Sequence, residues 1–164
     1  MNYKESVQIK RAVSSDVPAI RKLIELYRFK EDGSGSLIPL DVAEVSKRVS
    51  DGDFFSANVG SDLAGCASIV EYDGIAELRS LAVYPEYQGR GIGPVLIDAC
   101  KKEAQKRGYG KLYALTQEKT YSTFAKQEFG YTKTPPQKLK KDCAKCPLYN
   151  NGCNEFAVVF RFPK

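Results

Sequence analysis

The six residues from Gln88 to Gly93, QGRGIG, put glycines at 89, 91 and 93 between a run of strand formers and a helical pattern. A strand that passes through such a loop into a helix aims several backbone N–H groups, and the positive end of the helix dipole, at one spot. That spot suits an anion, and a phosphate above all. Glycine is required because a phosphate against the main chain leaves no room for Cβ atoms and because the loop turns sharply. Upstream, Glu77 and Arg79 stand two apart in the strand-like stretch Ala76 to Tyr84. In a regular strand residues 77, 79 and 81 share a face, so this carboxylate and guanidinium could meet the same substrate, and a bulge would break the parity. Downstream, Cys143, Cys146 and Cys153 form a CxxC with a third cysteine in one glycine- and proline-containing loop. Three thiolates make an incomplete tetrahedral zinc site that Asp142, Glu155 or water would complete. A CxxC disulfide or free thiols is the competing reading. The chain has no histidine, which removes the commonest general base and the commonest metal ligand.

Composition sets the frame for this chemistry. The 164 residues, 43% hydrophobic and 27% charged, fit one globular domain with its own core, expected to run over 1–164 with a Lys/Cys-rich loop at about 133–154. A net charge of +5 suits an anionic ligand but falls short of the basic stripe of a nucleic-acid binder. Five cysteines is an odd number, which argues against a complete secreted disulfide framework. Cys66 and Cys100 fall in a strand and on the apolar side of a helix, as small core residues do. The opening MNYKESVQIKRA has no signal-peptide core and no apolar run is long enough to span a bilayer, so the expected compartment is cytoplasmic.

The elements that must position these residues can be read in order. Val7 to Ala12 alternates as an opening strand. Ser14 to Asp16 offer N-caps to a helix that carries Val17, Ile20, Leu23, Ile24 and Tyr27 at helical spacing and ends near Arg28. Glu31 to Ser36 reads as a mobile loop. Asp41 and Glu44 resemble a capping box for a second helix with Val42, Val45 and Val49 on one face. Phe54 to Val59 and Leu63 to Tyr72 form a hairpin about Gly60 to Asp62, and Asp73–Gly74 turns into the strand bearing Glu77, giving three adjacent antiparallel strands. After the glycine loop, Val95, Leu96, Ala99, Cys100 and Ala104 line a helix capped by Gly108. Lys111 to Thr116 is then a strand parallel to the one before the loop, because a helix of crossover length joins them. A short helix over Thr120 to Gln127 and two strands, about Phe129 to Thr132 and Glu155 to Phe162, complete the chain.

With strand, glycine loop and amphipathic helix in this order, LAVYPEYQGRGIG resembles the acetyl-CoA pyrophosphate loop of the GNAT superfamily of N-acetyltransferases. The resemblance implies an α/β fold with a mixed central sheet, antiparallel N-terminal strands, a splayed parallel pair and flanking helices. It assigns Gln88, Gly89, Arg90, Gly91, Ile92 and Gly93 to the pyrophosphate, and the main chain of Leu81, Ala82 and Val83 to the pantetheine arm and the thioester carbonyl. Pro94 departs from it, because it fits the first helical turn but lacks an N–H. The superfamily transfers acetyl by direct attack of an amine on the thioester. Glu77 sits where some members carry a catalytic glutamate, and a carboxylate acting directly or through water is the natural base in a chain without histidine. Tyr121 is the nearest candidate for the tyrosine that many members use as general acid. Aromatic packing, with water as the acid, is the other reading of that residue.

A narrower resemblance runs from Ser36 onward. SLIPLDVAEV, ELRSLAVYPEYQGRGIG, KLYALT and DCAKCPLYNNGCNEFAV are similar to the short form of N-acetylglutamate synthase, which implies acetyl-CoA as co-substrate, L-glutamate as acceptor and a place in arginine biosynthesis. Longer members carry an amino-acid-kinase-like domain that this sequence does not include. Both carboxylates of glutamate need cations or fixed N–H donors, and Arg79 can aim a planar guanidinium at the acceptor side. The resemblance makes Lys138, Lys140 and Lys141 substrate-facing, whereas on charge pattern alone they are a solvated face. Other expectations stay open beside this one. The acceptor could be another amino acid, a polyamine or a protein N-terminus, although a polyamine would want an acidic pocket. The chain could also be a non-catalytic acyl-CoA binder or a nucleic-acid module built on the lysine-rich cysteine loop, and a homodimer is compatible with all of these.

Overall fold

The structure, a computed structural model, describes residues 6–28, 30, 32, 35–136, 139 and 155–164. Among these, the order is β1 (Val7–Arg11), α1 (Val17–Leu26), α2 (Val42–Ser50), β2 (Phe54–Val59), β3 (Asp62–Tyr72), β4 (Ile75–Val83), α3 (Ile92–Lys106), β5 (Lys111–Thr116), α4 (Glu118–Ala125), β6 (Gly130–Tyr131) and β7 (Phe156–Arg161). They form one seven-stranded mixed sheet in the order β1-β2-β3-β4-β5-β7-β6. Every neighbouring pair is antiparallel except β4 and β5, which the α3 crossover makes parallel as the sequence implied. The fold class expected from the sequence is the one observed.

Two apolar clusters cover the two faces of this sheet. On one side, α3 and α4 bring Leu96, Ile97, Cys100 and Phe124 onto Ala67, Ile69, Leu78, Leu112 and Ala114. On the other, α1 and α2 bring Ile20, Leu23, Ile24, Val45 and Val49 onto Phe54, Cys66 and Ala82. The buried residues of each helix keep the 3.6-residue spacing read in the sequence, but Val42 and Val95, placed on those apolar faces, are 53% and 47% exposed and lie at the edge of their stripes. Cys66 and Cys100 are fully buried and free, as their positions implied. Burial pushes the Cys66 thiol up to about 12, so it is chemically inert at neutral pH. The α2 cap also forms as read, with Asp41 Oδ1 accepting the Glu44 N–H at 2.8 Å.

Three sequence expectations are adjusted. The last helix begins at Glu118 rather than Thr120, because the Thr120 hydroxyl bonds back to the Gln117 carbonyl and fits inside the first turn. Strand β6 is only Gly130–Tyr131, and β7 takes the central place beside β5 along six paired residues. In the segment read as mobile, Glu31, Gly33 and Ser34 lie outside the described residues, while Ser36 and Leu37 fold back onto the end of α1 with their N–H groups on the Tyr27 carbonyl at 2.8 and 3.0 Å.

Candidate active site

Strand β4 is the element around which the site is built, and a bulge divides it. Ser68 pairs with Arg79 but Cys66 pairs with Ala82, so β4 carries an extra residue there, and Ser80 takes φ +56°. The two carbonyls displaced from the ladder are answered by β3: Ser68 Oγ donates to Arg79 O at 3.0 Å and Cys66 Sγ to Ser80 O at 3.3 Å. Upstream of the bulge, Glu77 and Arg79 share the face packed by α1 and α2. Beyond it the alternation resets, so Leu81 does not share their face as a regular strand would require. The parity expectation therefore holds for the acid and the base and fails at Leu81.

The β4–β5 ladder stops just before the same point. Only Glu77↔Tyr113 and Leu78↔Ala114 are paired, and from Arg79 to Val83 the β5-side edge of β4 is vacated. Tyr84 N–H donates across to Ala64 O in β3, so the alternation turns the N–H and C=O of the preceding Val83 to that vacated edge. This is the splayed parallel pair that the sequence resemblance implied, and Glu77 sits at its vertex.

Glu77 is 2% exposed. Its Oε2 accepts from Arg79 Nε at 2.7 Å and from Tyr72 OH at 2.9 Å, and the Arg79 guanidinium lies 5.6 Å from the Tyr72 ring centroid. The pair is what permits a carboxylate this deep, because an unpaired buried charge is prohibitively costly. Burial first, then the Glu77 charge, push the Tyr72 phenol well above its ordinary value, so it is a donor at neutral pH. The Arg79 side chain is largely buried and bonds Glu77, two residues back on its own strand.

A second carboxyl completes this side. Val159 of β7 pairs with Tyr113 and Ala157 with Leu115; continuing that alternation one step before the strand brings Glu155 to the face of Tyr113 and Glu77. Burial, reinforced by the Glu77 carboxylate, raises the Glu155 carboxyl to about 7. The sequence presented Glu155 only as a spare metal ligand. Its membership of this pocket depends on β7 lying next to β5, and residue spacing alone does not reveal that.

The glycine loop forms at the other end of β4. Gly89 and Gly91 take φ +80° and +81°, where L side chains are strained, and Gly91 caps α3. Ile92 opens the helix with its side chain in the core, Gly93 packs against Thr123, and Pro94 is the third helical residue. Arg90 is exposed, with its guanidinium 5.1 Å over the Tyr87 ring. Gln88 is exposed too, but its Nε2 reaches back to donate to Tyr27 OH at 2.8 Å and to Val83 O at 3.2 Å. Tyr121 packs on Phe156, ring centroids 5.7 Å apart, on the α3–α4 side of the sheet, away from the Glu77 face. Lys138, Lys140, Lys141, Cys143, Cys146 and Cys153 lie outside the described residues. Among the described residues no group of three His, Cys, Asp or Glu is placed to hold a metal.

Comparison with known proteins gives this arrangement its family. The acetyltransferase (GNAT) family profile matches residues 18–131, which include β4, the glycine loop and α3. The chain belongs to the GNAT family. It is accordingly an N-acetyltransferase by descent. An uncharacterized N-acetyltransferase of Chlorobaculum tepidum is 31% identical over 156 residues, 92% of this chain and 94% of that protein. An amino-acid acetyltransferase of Mycobacterium tuberculosis is 28% identical over 149 residues, 90% of this chain and 82% of that one. In three dimensions this GNAT chain superposes on N-acetylglutamate synthase from Neisseria gonorrhoeae, complexed with coenzyme A and N-acetyl-glutamate, with a TM-score of 0.78 and 26% identity. That likeness covers 97% of this chain but 36% of the Neisseria protein. No helix among the described residues is long and apolar enough to cross a membrane.

Proposed function

We propose that this GNAT chain transfers the acetyl group of acetyl-CoA to the α-amino group of L-glutamate, the entry step of arginine biosynthesis. The observation that carries the reading is the Glu77–Arg79 pair, 2.7 Å apart, at the vertex where β4 and β5 part. A proton acceptor and a carboxylate-binding guanidinium stand together beside the edge along which a thioester can lie. The relatives named for amino-acid acetylation support the choice of acceptor.

The residues present fit acetyl-CoA. The main-chain groups turned out along the vacated β4 edge can hold a pantetheine arm, and the glycine loop at the N-terminus of α3 can hold its pyrophosphate without a Cβ in the way. In this reading Glu77 takes, directly or through water, the proton that the acceptor nitrogen loses as it forms the C–N bond. The main-chain N–H groups that face the vacated edge within Leu81 to Val83 stabilise the oxyanion. The C–S bond then breaks and the CoA thiolate takes a proton, from water or from Tyr121. Arg79 holds a carboxylate of the amino acid, with Lys138, Lys140 and Lys141 proposed for the other. The three cysteines of the same loop are proposed to shape that pocket, with or without a zinc ion.

One observation favours a second reading. Glu155 places another carboxyl beside Glu77, and two acids flanking the vertex suit an acceptor with more than one amine, such as a polyamine. CoA release measured with acetyl-CoA and a panel of L-glutamate, other amino acids, spermidine and an N-terminal peptide separates the two. The highest kcat/KM for L-glutamate supports the first, whereas turnover with spermidine but none with glutamate sinks it and spares the acetyltransferase.

A further inference from the structure

Tyr27 belongs to neither half of the site as the sequence frames it, yet it is bonded to the cofactor half and to the segment 35–37 that packs on the acceptor face. Its backbone carbonyl accepts the Ser36 and Leu37 N–H groups, and Leu37 bridges Arg28 in parallel. A Cβ on Gly35 would stand 1.9 Å from the Arg28 carbonyl oxygen, so only glycine lets residues 35–37 fold back this closely. Tyr27 and Leu37 pack into the cluster on the sheet face that carries Glu77 and Arg79. The far end of the same side chain reaches the cofactor half. Tyr27 OH donates to Val83 O at 2.8 Å and accepts from Gln88 Nε2 at 2.8 Å, while Gln88 also donates to Val83 O. Val83 O, on the edge that β5 has vacated, therefore has both lone pairs engaged.

From this we infer that Tyr27 is a positioning residue that couples occupation of the β4 edge to the seating of residues 35–37 on the acceptor face. The inference rests on the proposed acetyl-CoA reading. A pantetheine arm laid along this edge meets the Tyr27–Gln88–Val83 triangle directly, because its amide N–H can bond Val83 O only by replacing one of the two donors. Whichever donor yields, the tyrosine ring is reset at its hydroxyl end while its backbone holds Ser36 and Leu37. Two sites that bias one element are coupled in binding, reciprocally. The acceptor consequently binds about tenfold more tightly to the CoA-loaded protein than to the empty one.

Amide hydrogen exchange on the full chain, with and without CoA, tests this. In the wild type, CoA slows exchange at Val83, which reports cofactor seating, and also at Ser36 and Leu37. Tyr27→Phe still binds CoA and still protects Val83, but Ser36 and Leu37 exchange at the same rate with and without CoA. A merely structural tyrosine would speed those two amides equally in both states, and that result overturns the coupling. So does a wild type in which CoA protects Val83 and leaves Ser36 and Leu37 unchanged. No protection of Val83 in the wild type would instead overturn the cofactor reading on which the coupling rests. Gln88→Leu, which keeps the tyrosine, is the second variant: at CoA concentrations that fully protect Val83, the CoA-dependent slowing at Ser36 and Leu37 must fall at least threefold, and full retention counts against the proposal. The kinetic counterpart with L-glutamate as probe is a raised acceptor KM in Tyr27→Phe at unchanged kcat.

Discussion

The carboxylate of Glu77 and the guanidinium of Arg79 are held 2.7 Å apart on one face of β4, one residue before the bulge at Ser80 turns the strand's main chain toward a different task. In the proposed function, acceptor chemistry and cofactor binding are carried by consecutive pieces of one strand. The bulge separates them while keeping them within a few residues.

Arg79→Leu should remove the guanidinium that bonds the buried Glu77 charge. Chemical denaturation should show a loss of about 3 kcal/mol, and adding Glu77→Gln in the same chain should recover part of it. Full additivity of the two changes would show that the pair does not interact. In the same variant the KM for L-glutamate should rise more than tenfold, while the KM for acetyl-CoA stays within a factor of two.

The Glu155 carboxyl gives the stability a pH signature. Its folded value of about 7 lies above the ordinary carboxylate value, so the folded state binds more protons between the two. Stability should therefore fall as pH rises from about 4.5 to about 7 and level off above, by roughly 3 kcal/mol from this group. Glu155→Gln should abolish that slope and be the more stable protein at pH 8. Parallel wild-type and variant curves across this window would show that the carboxyl is not held in the folded pocket.

Arg107 has the opposite signature. Its guanidinium bonds Glu71, Glu103 at 3.0 Å and Asp53 at 2.9 Å, tying the end of α3 to β3 and to the turn before β2. Hydrogen bonds from Tyr109 and Arg107 hold the Glu71 carboxyl below its ordinary range, and those from Arg11 and Arg107 do the same for Glu103. Stability from these groups is present above the ordinary carboxylate range and is lost as pH falls through their lowered folded values. Arg107→Met should cost roughly 2–3 kcal/mol at pH 7 and less at pH 3, read by thermal denaturation at both.

Gly91→Ala should separate fold from cofactor. The αL backbone at φ +81° disfavours any Cβ by about 1 kcal/mol. The larger effect should be on CoA, whose Kd, measured by calorimetry, should rise more than tenfold if the pyrophosphate sits against this turn. An unchanged Kd would remove the loop from the cofactor site.

Much of the cofactor half was legible in the sequence because its signals are local. Glycines 89 and 91 need a left-handed backbone, the helix that follows has a clear apolar stripe, and the turn at Asp73–Gly74 sets the strand before them. The acceptor half was legible only in part. Glu77 and Arg79 follow from period-two alternation, but the bulge that frees Val83 depends on Cys66 and Ser68 in a neighbouring strand. Glu155 and Tyr72 reach Glu77 only through sheet register, as Tyr27 reaches Val83 only through helix packing. Tyr121, placed by resemblance near the chemistry, packs its ring on Phe156, where the aromatic side chains of α4 and β7 meet.

The most direct test of the account is the rate of CoA release from acetyl-CoA and L-glutamate by Glu77→Gln beside the wild type. General-base catalysis contributes about 10²–10⁴-fold, so kcat should fall by at least a hundredfold at pH 7, with CoA affinity unchanged and the deficit shrinking at higher pH as the free amine supplies its own neutral form. A variant that turns over at the wild-type rate throughout the pH range would contradict the placement of the acceptor chemistry at the vertex of β4 and β5.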